Sequence, residues 1–396
     1  MSGRPSGRPP ERPSVRPLVV WAAGVPWDAV PGTDHHLVRR LARDVDVWWV
    51  DPPVSVLRTA RRTAGAGPRW RSAAAPVADG VTRTSVVSPP FPSRPGGRVA
   101  ARLVSELAVR RALARDGRTP LAVVTARPED HLAGVPTRCR VHYATDDFVA
   151  GAALLGLDPR RLARAERRSL AAADLAVAVS PEILDRWPWS MPTLLLPNGC
   201  DSERYRPVPV PDGGQSGGEA VAGVVGQLSA RIDLALLEAV ARRGRPLLLV
   251  GPADRSVDRA RFDALVALPH VTWTGRQPAE ALPDLLGRMK VGLTPYTDTP
   301  FNRASFPLKT LEYLAAGRAV VSTPLPAVAA LGSPAVTTAA DPGDFADAVD
   351  RALHAPDDEA TVAARKAFAA RHDWSRRARD LLEAIDAVVS HGPADR

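Results

Sequence analysis

Short apolar runs rich in valine and leucine recur along the chain and alternate with longer amphipathic stretches. Such runs predict buried strands of parallel sheets, and the stretches between them predict connecting helices. The predicted strands are Leu18–Ala22, Val45–Val50, Leu121–Thr125, Arg140–Tyr143, Leu175–Val179, Thr193–Leu196, Gly223–Gly226, Pro246–Val250, Val271–Thr274, Val291–Thr294 and Ala319–Ser322. The predicted helices are Asp34–Arg43, Arg98–Arg115, Pro159–Ala173, Asp233–Arg243, Ala279–Gly287, Leu308–Gly317, Pro342–His354 and Asp358–Val389, the last broken near 372–374.

This alternation predicts an α/β protein made of two doubly wound, Rossmann-like units. We expect the first unit to span 17–206 and the second 221–372, with a linker of Pro, Gly, Gln and Ser at 207–220. Residues 1–16, which are mostly Arg, Pro, Gly and Ser, predict a disordered basic tail. The carboxyl ends of both sheets should face one cleft, so the ligand site is predicted between the two units.

Composition narrows the class of protein. The 396 residues are 45% hydrophobic and 24% charged, which is typical of globular domains. No apolar stretch reaches the length of a membrane span and none follows Met1 as a signal would, so we expect a cytoplasmic protein. Cys139 and Cys200 fit neither a disulfide framework nor a zinc spacing, and no metal is expected.

Charge is distributed unevenly along the chain. The net charge of +9 divides into +11 for the first 206 residues and −2 for the remainder. The first unit should therefore meet an anionic partner, either a lipid surface, a phosphorylated acceptor or nucleic acid. Nucleic acid is disfavoured, because no aromatic-studded basic strand or recognition helix accompanies the arginines.

The segment Val291–Pro326 carries the most chemistry. A strand ends near Pro295, a polar loop follows, and a helix begins near Pro307. The amino end of that helix is a ready phosphate site, and Lys309 adds a full charge in its first turn. Glu312 lies one turn further on, where a carboxylate can accept both hydroxyls of a ribose. The alternative is that Lys309 and Glu312 are a surface ion pair.

These residues resemble a known family. Phe306–Ser322 is similar to the nucleotide-binding signature of glycosyltransferases with the GT-B fold, which contains a Pro, a Lys and Glu-Tyr followed by Ala-x-Gly. Further upstream, Tyr143–Asp147 and Val50–Pro53 look like the family 4-like branch that includes teichuronic-acid- and xanthan-type transferases. Other matching segments, in the expected order, are Leu196–Asp201, Val224–Asp233, Leu248–Gly251 and Val271–Gly275.

The resemblance implies a donor site in the second unit. Arg231 and Lys309 match the cations that neutralise the donor diphosphate, and Glu312 matches the ribose-binding carboxylate. Gly275, Arg276 and Gln277 match the loop along the nucleobase. The remaining donor-site residues are Gly226, Pro307 and Thr310. The resemblance also implies that the last helix, in 373–396, crosses back onto the first unit.

Two departures from the family pattern concern the stereochemistry. Many retaining members have a Glu eight residues before the one that Glu312 matches, and here that position is Ala304. Ala144 occupies another position where relatives often have Asp. Retention is therefore not assigned. An inverting reaction needs a base for the acceptor hydroxyl, and Asp146 or Asp147, after a strand of the first unit, would serve. Their alternative role is that of a helix-cap or turn acid.

Acceptor contacts are predicted in the first unit. Trp27, Asp28 and His36 follow its first strand and could position the acceptor, or they could be ordinary residues of a helix start. The arginines of Arg58–Arg71 could contact an anionic lipid surface, or form a solvated loop. Asp44-Val45-Asp46 fits the metal-binding Asp-x-Asp of another glycosyltransferase fold, but it precedes a strand where that motif should follow one.

The sequence therefore predicts a metal-independent glycosyltransferase without a cofactor other than its nucleotide-diphosphate-sugar donor. The acceptor hydroxyl could belong to a cell-surface glycan, a lipid-linked molecule or a natural product, with peripheral contact at the inner face of the cell membrane. Two alternatives stay open. One is a nucleotide-sugar 2-epimerase of the same fold, and the other is an inactive nucleotide-binding or membrane-docking module.

Overall fold

The computed structural model describes residues 16–57, 73–90, 94–187, 191–209 and 220–391. The strands are β1 Leu18–Ala22, β2 Asp46–Val50, β3 Val54–Ser55, β4 Ala73–Ala78, β5 Val81–Ser85, β6 Val87–Ser88, β7 Ala122–Thr125, β8 Cys139–Ala144, β9 Leu175–Ala178, β10 Thr193–Leu195, β11 Ala222–Val225, β12 Leu247–Val250, β13 Val271–Trp273, β14 Val291–Thr294, β15 Ala319–Ser322 and β16 Val336–Thr338.

The helices alternate with these strands. They are α1 Thr33–Leu41, α2 Pro95–Asp116, α3 Pro159–Ala171, α4 Pro181–Asp185, α5 Ser202–Tyr205, α6 Leu234–Arg242, α7 Arg259–Val266, α8 Leu282–Gly287, α9 Pro300–Arg303, α10 Leu308–Ala315, α11 Pro326–Leu331, α12 Pro342–His354, α13 Glu359–Ala370 and α14 Trp374–His391, with a 3-10 turn at Ala279–Ala281.

Two separate sheets form the two cores. The first has the order β10-β9-β8-β7-β1-β2-β5-β4, and the second has the order β13-β12-β11-β14-β15-β16. All pairings are parallel except that of β4 with β5. Strands buried on both faces read as continuous apolar runs, and the four residues of β12 are all Leu or Val. The predicted α/β architecture of two doubly wound units is confirmed.

Both sheets reverse their strand order at a central strand. β1 lies between β7 and β2, and β11 lies between β12 and β14. Crevices at such reversals are where open α/β sheets bind ligands, outside the carboxyl ends of the strands. The loops after β1, β8, β11 and β14 are therefore the segments that the fold makes available for a site.

All the predicted strands are present, with ends within one residue of the prediction, and the predicted break before Trp374 is confirmed. The hairpin of β4 and β5 was not predicted, because β4 is mostly Ala with one Pro and β5 is mostly Thr, Arg and Ser, so neither has a run of large apolar residues. Its turn is Asp79-Gly80, where Gly80 has a φ of +69° and approaches Ala42 too closely for a side chain. Several short elements, such as β16 and α11, were also not predicted, because they are too short to show a hydrophobic period.

The last helix, α14, packs against the first sheet's helix layer. Trp374 is buried, and its ring stacks on His36 of α1 with 5.6 Å between centroids and 3° between planes. Leu381 and Ile385 continue this contact within the core of the first sheet. The chain that enters α14 is held by two backbone hydrogen bonds, from Cys200 to the His372 carbonyl and from Trp374 to the Cys200 carbonyl. Helix α14 and the residues just before it thus connect the second unit to the first.

Trp374→Ala should lower the free energy of unfolding by about 3–5 kcal/mol, because it leaves a large cavity between α14 and α1. Urea denaturation followed by circular dichroism measures the loss. The control is Glu383→Ala, an exposed position of the same helix, which should stay within about 0.5 kcal/mol of wild type. A loss for Trp374→Ala no greater than that of the control would contradict the packing role.

Candidate active site

A cavity of about 240 Å³ lies where the two crevices meet. The second sheet contributes Gly226, Arg231 and Lys309 to its walls, and the first unit contributes Asp146 and Asn198. These residues come from the loops after β8, β10 and β11 and from the first turn of α10, which follows β14 in the chain. The structure therefore brings four of the predicted site residues, from both units, to one cavity.

The backbone after β11 is shaped by two glycines. Gly226 has a φ of +144° and Gly251, after β12, a φ of +136°, values that side-chain-bearing residues rarely adopt. A Cβ on Gly251 would lie 1.8 Å from the Gly226 carbonyl oxygen, so the two loops touch through bare backbone. This close approach directs the segment after Gly226 along the cavity towards Arg231.

The guanidinium of Arg231 is fixed by its neighbours. Its Nε donates to Oδ1 of buried Asn302 at 2.8 Å, and its charge lies over the rings of Phe301 and Tyr296, 4.7 and 5.5 Å from their centroids. Asn302 in turn donates to the Thr297 carbonyl. No sequence pattern pointed to Asn302, which contacts Arg231 because α9 folds back onto the loop after β11.

Helix α10 presents its amino end to the cavity. Pro307 is the N-cap residue and the helix begins at Leu308, as predicted. The hydroxyl of Thr310 is buried and has no hydrogen-bond partner among the described residues. Tyr313 anchors the helix, because its hydroxyl accepts a 2.7 Å hydrogen bond from the Val225 N–H at the end of β11. The helix start and the β11 loop are thus held together.

Lys309 and Glu312 form an ion pair inside the cleft. Their Nζ and Oε2 atoms are 2.6 Å apart, which is the pairing that the alternative interpretation predicted. The pair does not lie on the open surface, since Glu312 is only 9% exposed and Lys309 lines the cavity. A nucleotide that uses Glu312 for its ribose must therefore share or displace this contact.

Asp146 is the acid of the first unit that reaches the cavity. Burial raises its pKa to about 6, while the charge of Arg231 and a hydrogen bond with Ser305 act in the opposite direction. The neighbouring charge of Asp147 adds a smaller upward effect. A carboxylate with a pKa of about 6 is ionised at neutral pH and can readily accept a proton, as a general base must.

Asp147 has a different environment. Its Oδ1 accepts hydrogen bonds from the N–H groups of Val149 and Ala150, at 3.1 and 2.9 Å, and lies 3.2 Å from Arg186. It is buried and does not line the cavity. The structure thus separates the two predicted acids, and Asp147 is placed as the turn acid of the alternative interpretation.

Asp34 is a buried acid that the sequence did not single out. It stands in the first turn of α1, where Oδ2 accepts from the Gly24 N–H at 3.0 Å and Oδ1 has no partner among the described residues. Burial raises its pKa to about 7, with a contribution from the charge of Asp146. Its position over the crevice after β1 was the available signal, but an acid at a helix start is common.

The three predicted acceptor residues do not form one pocket. Trp27 packs edge-on against Trp49 at 5.1 Å, and Asp28 is exposed and pairs with Arg83 at 2.7 Å. His36 stacks on Trp374, and burial lowers its pKa to about 4, against the charge of Glu312. None of the three lines the cavity. Their part in acceptor binding stays a prediction.

The predicted nucleobase loop lies beside the cavity. Gly275 has a φ of +66°, and its carbonyl accepts from the Gly251 N–H at 2.9 Å. Gln277 donates to the Thr274 carbonyl, and Arg276 is exposed. Sequence reasoning missed further cavity residues, namely Asn198, Gln227, Ser229, Tyr296 and Ser305. Asn198, Gln227 and Ser229 did lie in matching segments. The Oδ1 atom of Asn198 accepts from the Thr33 hydroxyl at 3.0 Å.

The two units touch through α9 and the residue after it. The ring of Phe301 lies against Gly151, where an added Cβ would come within 2.7 Å of it. Ala304 is buried within the core of the first unit, and its carbonyl accepts a 2.7 Å hydrogen bond from the Ser180 hydroxyl. The cleft is therefore narrow in this structure, with the walls of the cavity already close together.

Comparison with solved structures places the fold. Sucrose-phosphate synthase from Thermosynechococcus elongatus is 18% identical with a TM-score of 0.71, and 95% of this chain matches 100% of that one. A structure described as "Trehalose-6-phosphate from E. coli bound with UDP-2-fluoro glucose" is 14% identical with a TM-score of 0.65, over 95% and 100% of the two chains. HepE of Anabaena, in complex with UDP and glucose, is 14% identical with a TM-score of 0.62, over 94% and 100%. The chain has the GT-B fold.

The second unit also matches known proteins in sequence. Residues 220–355 match the family model described as "Glycosyl transferases group 1". TuaH of Bacillus subtilis (strain 168), which is named as a glycosyltransferase of teichuronic acid biosynthesis, is 32% identical over 168 residues. That match covers 41% of this chain and 42% of TuaH, so it spans about two fifths of the relative's length. The second unit is thus similar in sequence to group 1 glycosyltransferase domains, in agreement with the sequence resemblance.

Proposed function

We propose that this chain is a glycosyltransferase that moves a sugar from a nucleoside-diphosphate sugar to an acceptor hydroxyl. The observation that supports it best is the composition of the cavity, in which two cations of the second unit face a carboxylate of the first. Arg231 and Lys309 suit a diphosphate, and Asp146 suits a reacting hydroxyl. The group 1 domain and the GT-B fold agree with this chemistry.

The donor end of the cavity would stabilise the leaving group. Charge builds on the diphosphate as its bond to the sugar breaks, and fixed cations with helix N–H groups stabilise that charge without reorganising. Arg231 is held by Asn302 before any ligand binds. Lys309 and the start of α10 supply the second contact. Because these groups provide the positive charge, we propose a reaction that uses neither a metal ion nor a further cofactor.

The acceptor end would supply the base. The acceptor oxygen forms a bond to the anomeric carbon while the bond from that carbon to the diphosphate breaks, and the hydroxyl proton passes to Asp146. A direct displacement of this kind inverts the configuration. Ala304, at the position where many retaining relatives have Glu, is buried in the first unit's core and offers no acid.

We propose UDP as the donor nucleotide and a cell-surface polysaccharide as the class of acceptor. UDP or a UDP sugar is bound in two of the structures that share this fold, and TuaH is named for teichuronic acid biosynthesis. The proposal includes a cytoplasmic location with peripheral contact at the inner membrane face. The predicted contact at Arg58–Arg71 lies outside the described residues. Within the described ranges, no helix combines the length and apolarity needed to cross a bilayer.

The test is an assay of the full chain with a panel of nucleotide sugars, with and without acceptor. Slow hydrolysis of one donor in the absence of acceptor supports a transferase. A 2-epimerase would interconvert the donor sugar without acceptor and without releasing nucleotide. A protein that binds UDP but neither hydrolyses nor epimerises any donor would be the inactive module.

Glu312→Ala should weaken UDP binding by about 10- to 100-fold, because the ribose loses an acceptor that can hold two hydroxyls. Isothermal titration calorimetry measures the affinity. The control is Glu359→Ala, which removes an exposed carboxylate of α13 and should leave it unchanged. Equal affinities for wild type and Glu312→Ala would show that Glu312 serves only its ion pair with Lys309.

A further inference from the structure

The outer face of α2 carries an apolar stripe that no described element covers. Val99, Leu103 and Leu107 are 60%, 58% and 46% exposed, and their spacing of four residues aligns them along one side of the helix. The opposite side already serves the core, since Ala101 and Val109 are each 1% exposed. We call the three exposed residues the α2 stripe. A single exposed leucine is ordinary, but an aligned set marks an interaction surface.

An arginine-lined groove borders the α2 stripe. It lies between α2 and α3, has a volume of about 460 Å³, and includes Val99 in its wall. Its cations are Arg98 and Arg102 from α2 and Arg161, Arg164 and Arg168 from α3. The α3 residues recur every three or four positions and so share one face of that helix.

Few carboxylates balance this charge. Arg161 lies 3.8 Å from Glu129, and Asp130 pairs with Arg140 at 3.3 Å. Arg102 pairs with Glu106 on its own helix. Arg164 and Arg168 make no ion pair with any residue in the described ranges. The groove therefore presents exposed positive charge directly beside exposed apolar side chains.

We propose that the α2 stripe and the arginine groove dock together on an anionic phospholipid bilayer. Apolar side chains can enter the boundary between headgroups and acyl chains while arginines bind the lipid phosphates, which is how interfacial helices associate with membranes. A soluble phosphorylated ligand would use the groove but leave the stripe in water. A second copy of this chain would bring arginines against arginines.

This inference deepens the proposed function, on which it rests, because it names the surface that would bring the cleft to a lipid-linked acceptor. It differs from the contact predicted at Arg58–Arg71, which involves another segment. Membrane docking and nucleotide binding are separate measurements. Each idea can therefore fail without the other.

The experiment is sedimentation of the full chain with vesicles of phosphatidylcholine, with and without phosphatidylglycerol. Wild type should bind the anionic vesicles and be released by added salt. Val99→Ser, Leu103→Ser and Leu107→Ser together should weaken binding about tenfold or more. Arg164→Gln with Arg168→Gln should weaken it roughly 25-fold, at about fivefold for each arginine near an anionic surface. The matched control, Arg242→Gln with Arg255→Gln, removes two exposed charges from the second unit and should bind as wild type does.

UDP calorimetry on every variant verifies that the cleft is intact. The inference is overturned if wild type does not bind anionic vesicles, or if the stripe variant binds them as well as wild type. It is also overturned if inorganic phosphate displaces the protein better than chloride at equal ionic strength, which would indicate a soluble anion site. A wild-type dimer that the stripe variant converts to a monomer would assign the face to a second copy instead.

Discussion

Asp146→Asn is expected to lower turnover by about 10²- to 10⁴-fold, because the amide cannot take the proton of the acceptor hydroxyl. The side chain keeps nearly the same size, so UDP affinity should change little. Steady-state kinetics with saturating acceptor, paired with calorimetry, separates the two effects. A loss of UDP affinity that accounts for the whole loss of activity would contradict the role as base.

The comparison variant is Asp147→Asn, one residue away. Its amide oxygen can still accept from the Val149 and Ala150 N–H groups, and only the charge opposite Arg186 is lost. We expect lower stability but a turnover within a few-fold of wild type. If Asp147→Asn were the inactive variant and Asp146→Asn the active one, the two roles would be reversed.

The pH profile follows from the same carboxylate. Since burial raises the pKa of Asp146 to about 6, wild-type kcat/KM should fall as pH decreases through that value. The effect on stability has the opposite sign. The pKa of Asp146 in the folded state lies above the ordinary 3.8, so the folded state binds more protons than the unfolded state. The contribution of Asp146 to stability is therefore present below about pH 4 and is lost as the pH rises to about 6. Asp146→Asn should abolish the acidic limb of whatever activity remains.

Lys309→Ala should reduce kcat by about 10²- to 10³-fold with a smaller change in KM, because the charge that Lys309 opposes grows in the transition state. Arg231→Ala should behave in the same way. Lys309→Arg keeps the charge and should recover part of the loss. Arg303→Ala, next to Asn302 but exposed and paired with Asp298, is the control and should be nearly neutral. A rise in KM alone would mean that these cations only bind the ground state.

The sequence predicted the parts of the site that follow a strong local pattern. Lys309 and Arg231 come after strands of the second sheet, and the carboxyl ends of parallel strands meet at one edge, so their positions followed from the strands. Asn302, which contacts Arg231, and Ser305, which lines the cavity, were missed because they reach these positions only when α9 and the residues after it fold back across the cleft. Asp146 and Asp147 could not be separated, because adjacent residues differ only in the direction of their side chains, which packing decides.

The hairpin of β4 and β5 shows a similar limit for the fold. Its strands are Ala-rich in one case and mostly polar in the other, and the one clear local signal is the Asp79-Gly80 turn. The hairpin forms because β5 pairs with β2 of the first sheet and β4 then pairs with β5. Tertiary pairing therefore decides this structure, since the local preference of the residues for a strand is weak.

The burial of Ala304 determines which substitutions this position can accept. A glutamate there would place a carboxylate in the apolar core of the first unit, next to the hydrogen bond between Ser180 and the Ala304 carbonyl, and a buried unpaired charge is strongly unfavourable. The longer side chain would also push the two units apart. No single substitution can therefore restore the paired glutamates of many retaining relatives. A glutamate at position 304 would therefore require accompanying changes in the residues that pack around it in the first unit.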